Sequence, residues 1–321
     1  MTHRLTRYLM IGVMVTFWGL SFVLTKIALD WLGPTAIAFL RWAITAAVLS
    51  SWLVLTARWP AFGRMLRQDG WTLAGGALVG ISLFSATGNL ALRYTTAIDA
   101  GVLSNLTSVF LILIATAWLQ ERLAPAEWIA LAGAFCDAIL VSQGAGHLTL
   151  TSPGLRGDLL LVLGAFFGAV YCIGAKRLVA TYPTDVVTTG FATLGALFLL
   201  PAALWEGISF DLPPVAWAAI LFLGLGSGAV ANLLWMYLLS TTSASRAGMV
   251  LFLIPIISTA LAVIVLHEPL TPAILLGAGL VLANVAIVSQ FFGESLAVAG
   301  LLTEPPWLGQ ETGHSHPGLL R

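Results

Sequence analysis

The strongest constraint on this 321-residue chain is the recurrence of apolar windows about 20 residues long, the length an α-helix needs to cross roughly 30 Å of hydrocarbon. Ten such windows fit the sequence. In the first half they are Leu9 to Leu29, Pro34 to Thr56, Trp71 to Leu92, Ala97 to Leu119 and Glu127 to Ser142. In the second half they are Leu159 to Val179, Asp185 to Leu204, Ala216 to Leu239, Gly248 to Leu266 and Pro272 to Phe292. Hydrophobic residues make up 59% of the chain and charged residues 9%, too few charges to cover a water-facing surface of this length. The expected fold is therefore an all-α integral membrane protein of ten transmembrane helices. The first window is too long for a signal peptide and lacks a small-residue cleavage site, so it reads as an uncleaved first helix.

The loops give the orientation, because Lys and Arg are retained on the cytoplasmic side during insertion. With the N terminus inside, the inner segments hold Arg4, Arg7, Arg58, Arg64, Arg67, Arg122, Lys176, Arg177, Arg246 and Arg321; the outer ends hold Lys26, Arg93 and Arg156. Both termini are expected in the cytoplasm and the chain in the cell inner membrane. Residues 293–321 form a short tail, expected to be cytoplasmic and disordered. A net charge of zero gives no reason to expect nucleic acid as a partner; the lipid bilayer is one, and a homodimer is compatible with the sequence.

An internal repeat runs through the chain. Gly33-Pro34-Thr35 recurs as Tyr182-Pro183-Thr184, and Trp18-Gly19 as Phe167-Gly168, both 149 positions later. Asn89-Leu90 and Tyr94 recur as Asn232-Leu233 and Tyr237 at a shift of 143; Ala100-Gly101, Glu121 and Val141-Ser142-Gln143 recur as Ala247-Gly248, Glu268 and Val288-Ser289-Gln290 at 147. The repeats are expected over residues 1–145 and 155–292. Five spans per copy is an odd number, so the second copy enters the membrane upside down. Two inverted five-helix repeats suit alternating access, in which exchanging the conformations of similar halves moves a central cavity from one membrane face to the other.

The residues also resemble the EamA family of the drug/metabolite transporter superfamily, from Tyr8 to Phe292. Phe17-Trp18-Gly19 with Phe22, Phe39-Leu40-Arg41, and Leu119-Gln120-Glu121-Arg122-Leu123 carry the resemblance. Leu266-His267-Glu268-Pro269-Leu270 repeats the last, and Gly157-Asp158-Leu159-Leu160 is similar to the family's entry into its sixth span. The resemblance implies ten helices around a central cavity and transport of small metabolites, commonly export of amino acids or related compounds. The family often carries a proline in the middle of the fourth span where this chain has Ser108, whereas Pro255 stands at the matching position of the ninth. A proline-made helix break is thus expected in one half only.

Site candidates are the polar residues whose placement in hydrocarbon is costly, about 2.5 to 3.5 kcal/mol or more for a charge at the bilayer centre. Arg41 and Asp137 lie deep in spans, each roughly 8 to 10 Å from the outer end of its helix. One reading is a substrate site in which Arg41 engages a carboxylate and Asp137 an ammonium or a proton; the other is a structural ion pair. Asn284 is equivalent to Asp137 by the repeat, and either lines a cavity or makes an interhelical hydrogen bond. Trp18, Phe22, Tyr171 and Trp235 are candidate cavity walls, since aromatic faces accept apolar or cationic groups, although most aromatics in such a chain pack or mark interfaces, as Trp31, Trp52, Trp59, Trp71 and Trp217 are expected to do. Asn89 and Asn232 are expected to bond free backbone groups at helix ends, and Glu121 and Glu268 to act in capping or turns. Gly224, Gly226 and Gly228 lack the strand and lysine of a nucleotide loop and read, with Gly75, Gly76, Gly277 and Gly279, as close helix packing. Cys136 and Cys172 read as neither disulfide nor metal site, and His314 and His316 as part of a solvated tail. No metal, cofactor or enzyme chemistry is expected. The leading function is a secondary transporter for a small-molecule substrate, working in efflux; the alternatives are a membrane scaffold or receptor, and an integral membrane enzyme acting on lipid.

Overall fold

The structure, a computed structural model, describes residues 2–118 and 153–270 together with isolated residues between 120 and 136 and between 272 and 279. Eight helices in the described residues are long and apolar enough to cross a bilayer. They are α1 (Thr2–Ala28), α2 (Pro34–Leu55), α4 (Gly70–Ala91), α5 (Ala97–Trp118), α6 (Pro153–Val179), α7 (Thr184–Glu206), α8 (Pro214–Thr241) and α9 (Ala244–Leu266). Each lies within a few residues of an expected span. The expected fifth and tenth spans fall mostly outside the described residues.

A ninth helix, α3 (Trp59–Gln68), lies where the sequence reading placed only a basic loop. Pro60 in its first turn favours helix entry. Phe62, Met65 and Leu66 follow at helical spacing while Arg64 and Arg67 interrupt them, so the segment is amphipathic rather than apolar. Met65 is fully buried, and Trp59 stacks on Phe62 with ring centroids 5.0 Å apart. Two contacts clamp α3 to the turn between α6 and α7 and to the first turn of α7. The Tyr182 hydroxyl lies 2.7 Å from Asp69 Oδ2 and 3.0 Å from Gln68 Oε1, and the bond to the Asp69 carboxylate raises the pKa of the phenol. Arg58 Nη1 donates to Asp185 Oδ2 at 2.8 Å.

The contacts sort the helix ends into two groups. One end of the bundle carries the turns at 29–33, 92–96, 207–213 and 267–270; the other carries α3 and the turns at 180–183 and 242–243. Helix α2 packs along α7, α1 along α9, and α6 along α5. Helix α4 packs on α6 and α7, and α8 on α1 and α2.

Helices α4 and α8 each contain a widened π-helical stretch, Ala77–Leu83 and Leu223–Val230. Such a stretch leaves a carbonyl without its usual partner. Ser82 Oγ meets Ala77 O in the first, and Asn232 Nδ2 donates to Ser227 O at 2.8 Å in the second. Asn232 thus bonds inside its own helix and not at a helix end, whereas Asn89 reaches Pro34 O, at the start of α2, at 3.0 Å. The glycines in these stretches are contact points. A Cβ at Gly80 would lie 1.9 Å from Tyr171 Cβ on α6, and one at Gly228 would lie 2.0 Å from Thr45 Oγ1 on α2. Gly75 and Gly279, by contrast, face open space, so the packing role expected of them does not hold.

Helices α5 and α9 are both broken, although only α9 carries the proline. In α9, Leu251–Leu253 is a 3-10 turn just before Pro255. In α5, the break falls at Ser104 and Asn105, where Asn105 N–H bonds Val102 O and Ser104 Oγ folds back on Gly101 O. The proline-made break is thus confined to α9, while α5 is broken without a proline, where the Ser104 hydroxyl competes with the helical ladder. Ser108 instead ties the helices together, donating to Gly248 O on α9 at 2.9 Å.

Charged side chains close the helix ends. Lys26 Nζ donates to Leu92 O (2.5 Å) and Thr95 O (2.6 Å) at the end of α4. Lys176 Nζ makes the equivalent pair at the end of α8, to Leu239 O (2.6 Å) and Thr242 O (2.5 Å). Glu268 accepts from Ala97 N–H (2.8 Å) and Ile98 N–H (2.9 Å) at the start of α5. Glu206 accepts from Thr35 N–H, Ala36 N–H and the Thr35 hydroxyl at the start of α2. A carboxylate at a helix N-terminus satisfies orphan donors and meets the positive end of the helix dipole. The capping expected of Glu268 is thus present, though on a distant helix. Glu268→Ala and Glu206→Ala are each expected to lower stability by about 1 kcal/mol, read as a lower thermal midpoint in detergent.

Candidate functional site

The helix crossings leave a cavity of about 150 Å³ near the middle of the bundle. Trp18, Ser21, Phe22 and Thr25 of α1 line it in successive turns, facing residues from Gly80 to Leu92 of α4, Ser104 and Thr107 at the break in α5, and Arg41 and Trp42 of α2. Gly168, Tyr171 and Cys172 of α6, Asn232 and Trp235 of α8, and Leu251 and Ile254 at the break in α9 complete the wall. The cavity begins near mid-span, at Trp18 and Gly80, and extends toward the bundle end that carries the turns at 29–33 and 92–96.

Its floor is aromatic. Trp18 meets Trp235 edge to face with centroids 5.6 Å apart, and Tyr171 meets Phe191 at 4.8 Å in the same manner. Both geometries are those favoured by ring quadrupoles. Trp235 is 1% exposed, so this floor is closed by packed side chains. Above it the wall is mixed: Trp42 Nε1–H donates to Ser85 Oγ at 2.8 Å, which fixes the indole ring. The Arg41 guanidinium carbon lies 5.4 Å from the centroid of that ring, within cation–π range. Arg41 Nε is buried with no hydrogen-bond partner. One ion pair, Arg58–Asp185, lies far from Arg41 at the α3 end.

Five of the seven candidate site residues, Trp18, Phe22, Arg41, Tyr171 and Trp235, come together on this one wall. Asp137 and Asn284 lie outside the described residues, as does the Arg41–Asp137 pairing. Asn89 and Asn232, read from sequence as structural, also line the cavity. Sequence reasoning missed Trp42, Ser85 and Thr107. Trp42 carried one signal, its position beside the only deep arginine; single hydroxyls in apolar helices carry none, because most simply bond their own backbone, as Ser21 does to Trp18 O. Metal chemistry has no donor set among the described residues: they contain no cluster of three or more His, Cys, Asp or Glu side chains able to hold an ion.

A family model described as "EamA-like transporter family" matches the chain twice, over residues 5–143 and 155–290. The chain belongs to the EamA-like transporter family. It is 28% identical to an uncharacterized transporter of Archaeoglobus fulgidus over 88% of this chain and 98% of the relative. It is 25% identical to a Streptantibioticus cattleyicolor protein named "Probable terminal-alkyne amino-acid exporter", over 86% of this chain and 91% of that one. A crystal structure of a protein 23% identical shares the fold, with a TM-score of 0.67 over 93% of this chain and 99% of its own. As a member of the EamA-like family, the chain is a multi-pass membrane transporter, and the cavity is where the geometry offers room for cargo.

Proposed function

We propose that this protein is a secondary transporter that moves small metabolites, amino acids or related compounds, out of the cell across the bacterial inner membrane by alternating access between two inverted halves. The observation that carries this reading is the cavity itself, whose wall draws on α1, α2, α4 and α5 of the first half and α6, α8 and α9 of the second. A cavity between halves that can exchange conformations is the arrangement alternating access requires.

Several features support the inversion. If α1, α2, α4 and α5 correspond to α6, α7, α8 and α9, each helix contact recurs with its partners exchanged: α1 on α9 and α6 on α5, α4 on α6 and α8 on α1, α2 on α8 and α7 on α4. The lysine caps recur in the same way, Lys26 on Leu92 and Thr95, Lys176 on Leu239 and Thr242. So do the hydroxyl caps that open α5 and α9, Thr96 and Ser243, 147 positions apart. The two members of each pair lie at opposite ends of the bundle. Ten membrane helices follow if each half contributes a fifth.

The end carrying α3 also holds Arg58, Arg64, Arg67, Lys176, Arg177 and Arg246, so the positive-inside rule turns it to the cytoplasm. The cavity then extends toward the outside, and the Trp18–Trp235 contact closes it from the cytoplasm. The test is an uptake and efflux screen of amino acids, their analogues and other small metabolites in vesicles carrying the purified protein. Saturable transport of one class supports the proposal; no transport of any class supports a scaffold.

A further inference from the structure

We infer that the cargo carries a carboxylate, bound by Arg41, on an aromatic or aliphatic body held against Trp18, Phe22, Tyr171 and Trp235. This deepens the transporter reading and rests on the cavity being the substrate site.

The inference begins with how firmly Arg41 is placed. Its carbonyl accepts from Thr45 Oγ1 at 2.9 Å, and the same hydroxyl lies 2.8 Å from Gly224 O on α8. A Cβ at Gly224 would come within 3.2 Å of Arg41 O, so glycine is what lets α8 approach. The α2 backbone at Arg41 is thus pinned by α8, and the side chain leaves from a fixed point into the cavity wall. The face of Trp42, itself fixed by Ser85, supports the guanidinium from one side.

A guanidinium does not lose its charge inside a protein, and its five N–H donors form a planar fork. Here the fork has the Trp42 ring beneath it but no carboxylate among the described residues, and Nε is buried without an acceptor. A buried guanidinium nitrogen with no acceptor among the described residues is a costly arrangement inside a membrane protein, and a bound anion facing the fork supplies one. Carboxylate suits a single guanidinium by bidentate geometry, and the described wall offers no second cation for a dianion. The remaining lining is dominated by rings and aliphatic groups, with Thr25, Ser85, Asn89 and Thr107 as scattered polar points. The described wall also contains no Asp or Glu that would hold an ammonium, so an acid without a charged amino group fits it better than a zwitterion.

The test is a binding series on the purified protein in detergent, read as ligand-dependent thermal stabilisation. The probes are phenylacetate, phenylacetamide, phenethylamine, phenylalanine and phenyl phosphate, which share a ring and differ in charge. Phenylacetate is expected to stabilise the wild type at concentrations at which phenylacetamide and phenethylamine do not, with phenylalanine and phenyl phosphate weaker. Arg41→Gln is expected to weaken phenylacetate binding about 10- to 100-fold, and Arg41→Lys to restore part of it. The wild-type series stands even if Arg41→Gln fails to fold. Equal binding of phenylacetamide, or stronger binding of phenethylamine or phenyl phosphate, overturns the carboxylate inference while leaving the cavity as a site, and stronger binding of phenylalanine overturns the preference for an acid without a charged amino group. No binding of any probe overturns both.

Discussion

Gly80→Leu is expected to destabilise the fold and sharply lower the yield of monodisperse protein, whereas Gly88→Leu, eight residues along the same helix, is expected to fold normally and lose transport. At Gly80 a Cβ would lie 1.9 Å from Tyr171 Cβ and 2.5 Å from Tyr171 Cγ. Those atoms are anchored to the α6 backbone, so α4 and α6 must separate to accept any side chain. Overpacking of this kind costs about 1–3 kcal/mol and at times more, and here it strikes a contact that forms the cavity floor. Gly88 has nothing within 4 Å of an added Cβ, yet it lines the cavity. Replacing a helical glycine there gains about 0.5–1 kcal/mol of backbone stability, while the leucine occupies the space for cargo. Gly12 also faces open space, away from the cavity, so Gly12→Leu is the control expected to keep both fold and transport. Yield of monodisperse protein and uptake in vesicles separate the three. A Gly88→Leu variant that transports at the wild-type rate would show that the pathway does not pass this wall.

The second large effect concerns the half-buried lysines Lys26 and Lys176. Lys26→Met and Lys176→Met each remove two charge-assisted hydrogen bonds to carbonyls at a helix end, and each leaves those carbonyls in a part-buried setting. Losses of about 2–3 kcal/mol apiece are expected. The two variants are expected to be alike, because the contacts are alike. Arg93→Met and Arg177→Met, at exposed neighbouring positions, are expected to change stability by less than about 0.5 kcal/mol. Chemical denaturation in mixed micelles measures all four. A strong loss at one lysine with none at the other would deny the equivalence of the halves.

The lysines also show what the sequence displayed and what it hid. As residues near the ends of spans they counted toward orientation, Lys26 on the outer side and Lys176 on the inner; only their bonds reveal that they hold helix ends together. Eight of the spans were legible because bilayer thickness dictates their length, and no tertiary detail overrides that. Trp18, Phe22, Tyr171 and Trp235 were legible as wall candidates because aromatic side chains of this size accept apolar or cationic groups. Arg41 was legible because a cation inside a span is rare. The break at Ser104 and Asn105 was not, since serine and asparagine sit in many unbroken helices. Helix α3 was hidden for another reason: three arginines in a short loop carry the orientation signal, and they obscured the apolar stripe running through Phe62 and Met65.

The claim on which the rest depends is that the cavity faces each side of the membrane in turn. Thr107 lines it at the middle of α5, and the chain has only two cysteines, Cys136 and Cys172. A Thr107→Cys variant in a Cys136→Ser, Cys172→Ala background, sealed in vesicles of known orientation, can be challenged with a membrane-impermeant thiol reagent from one side at a time. Alternating access predicts labelling from both sides, slowed from both by saturating transported substrate; labelling from neither side, with full reaction only after denaturation, would contradict it.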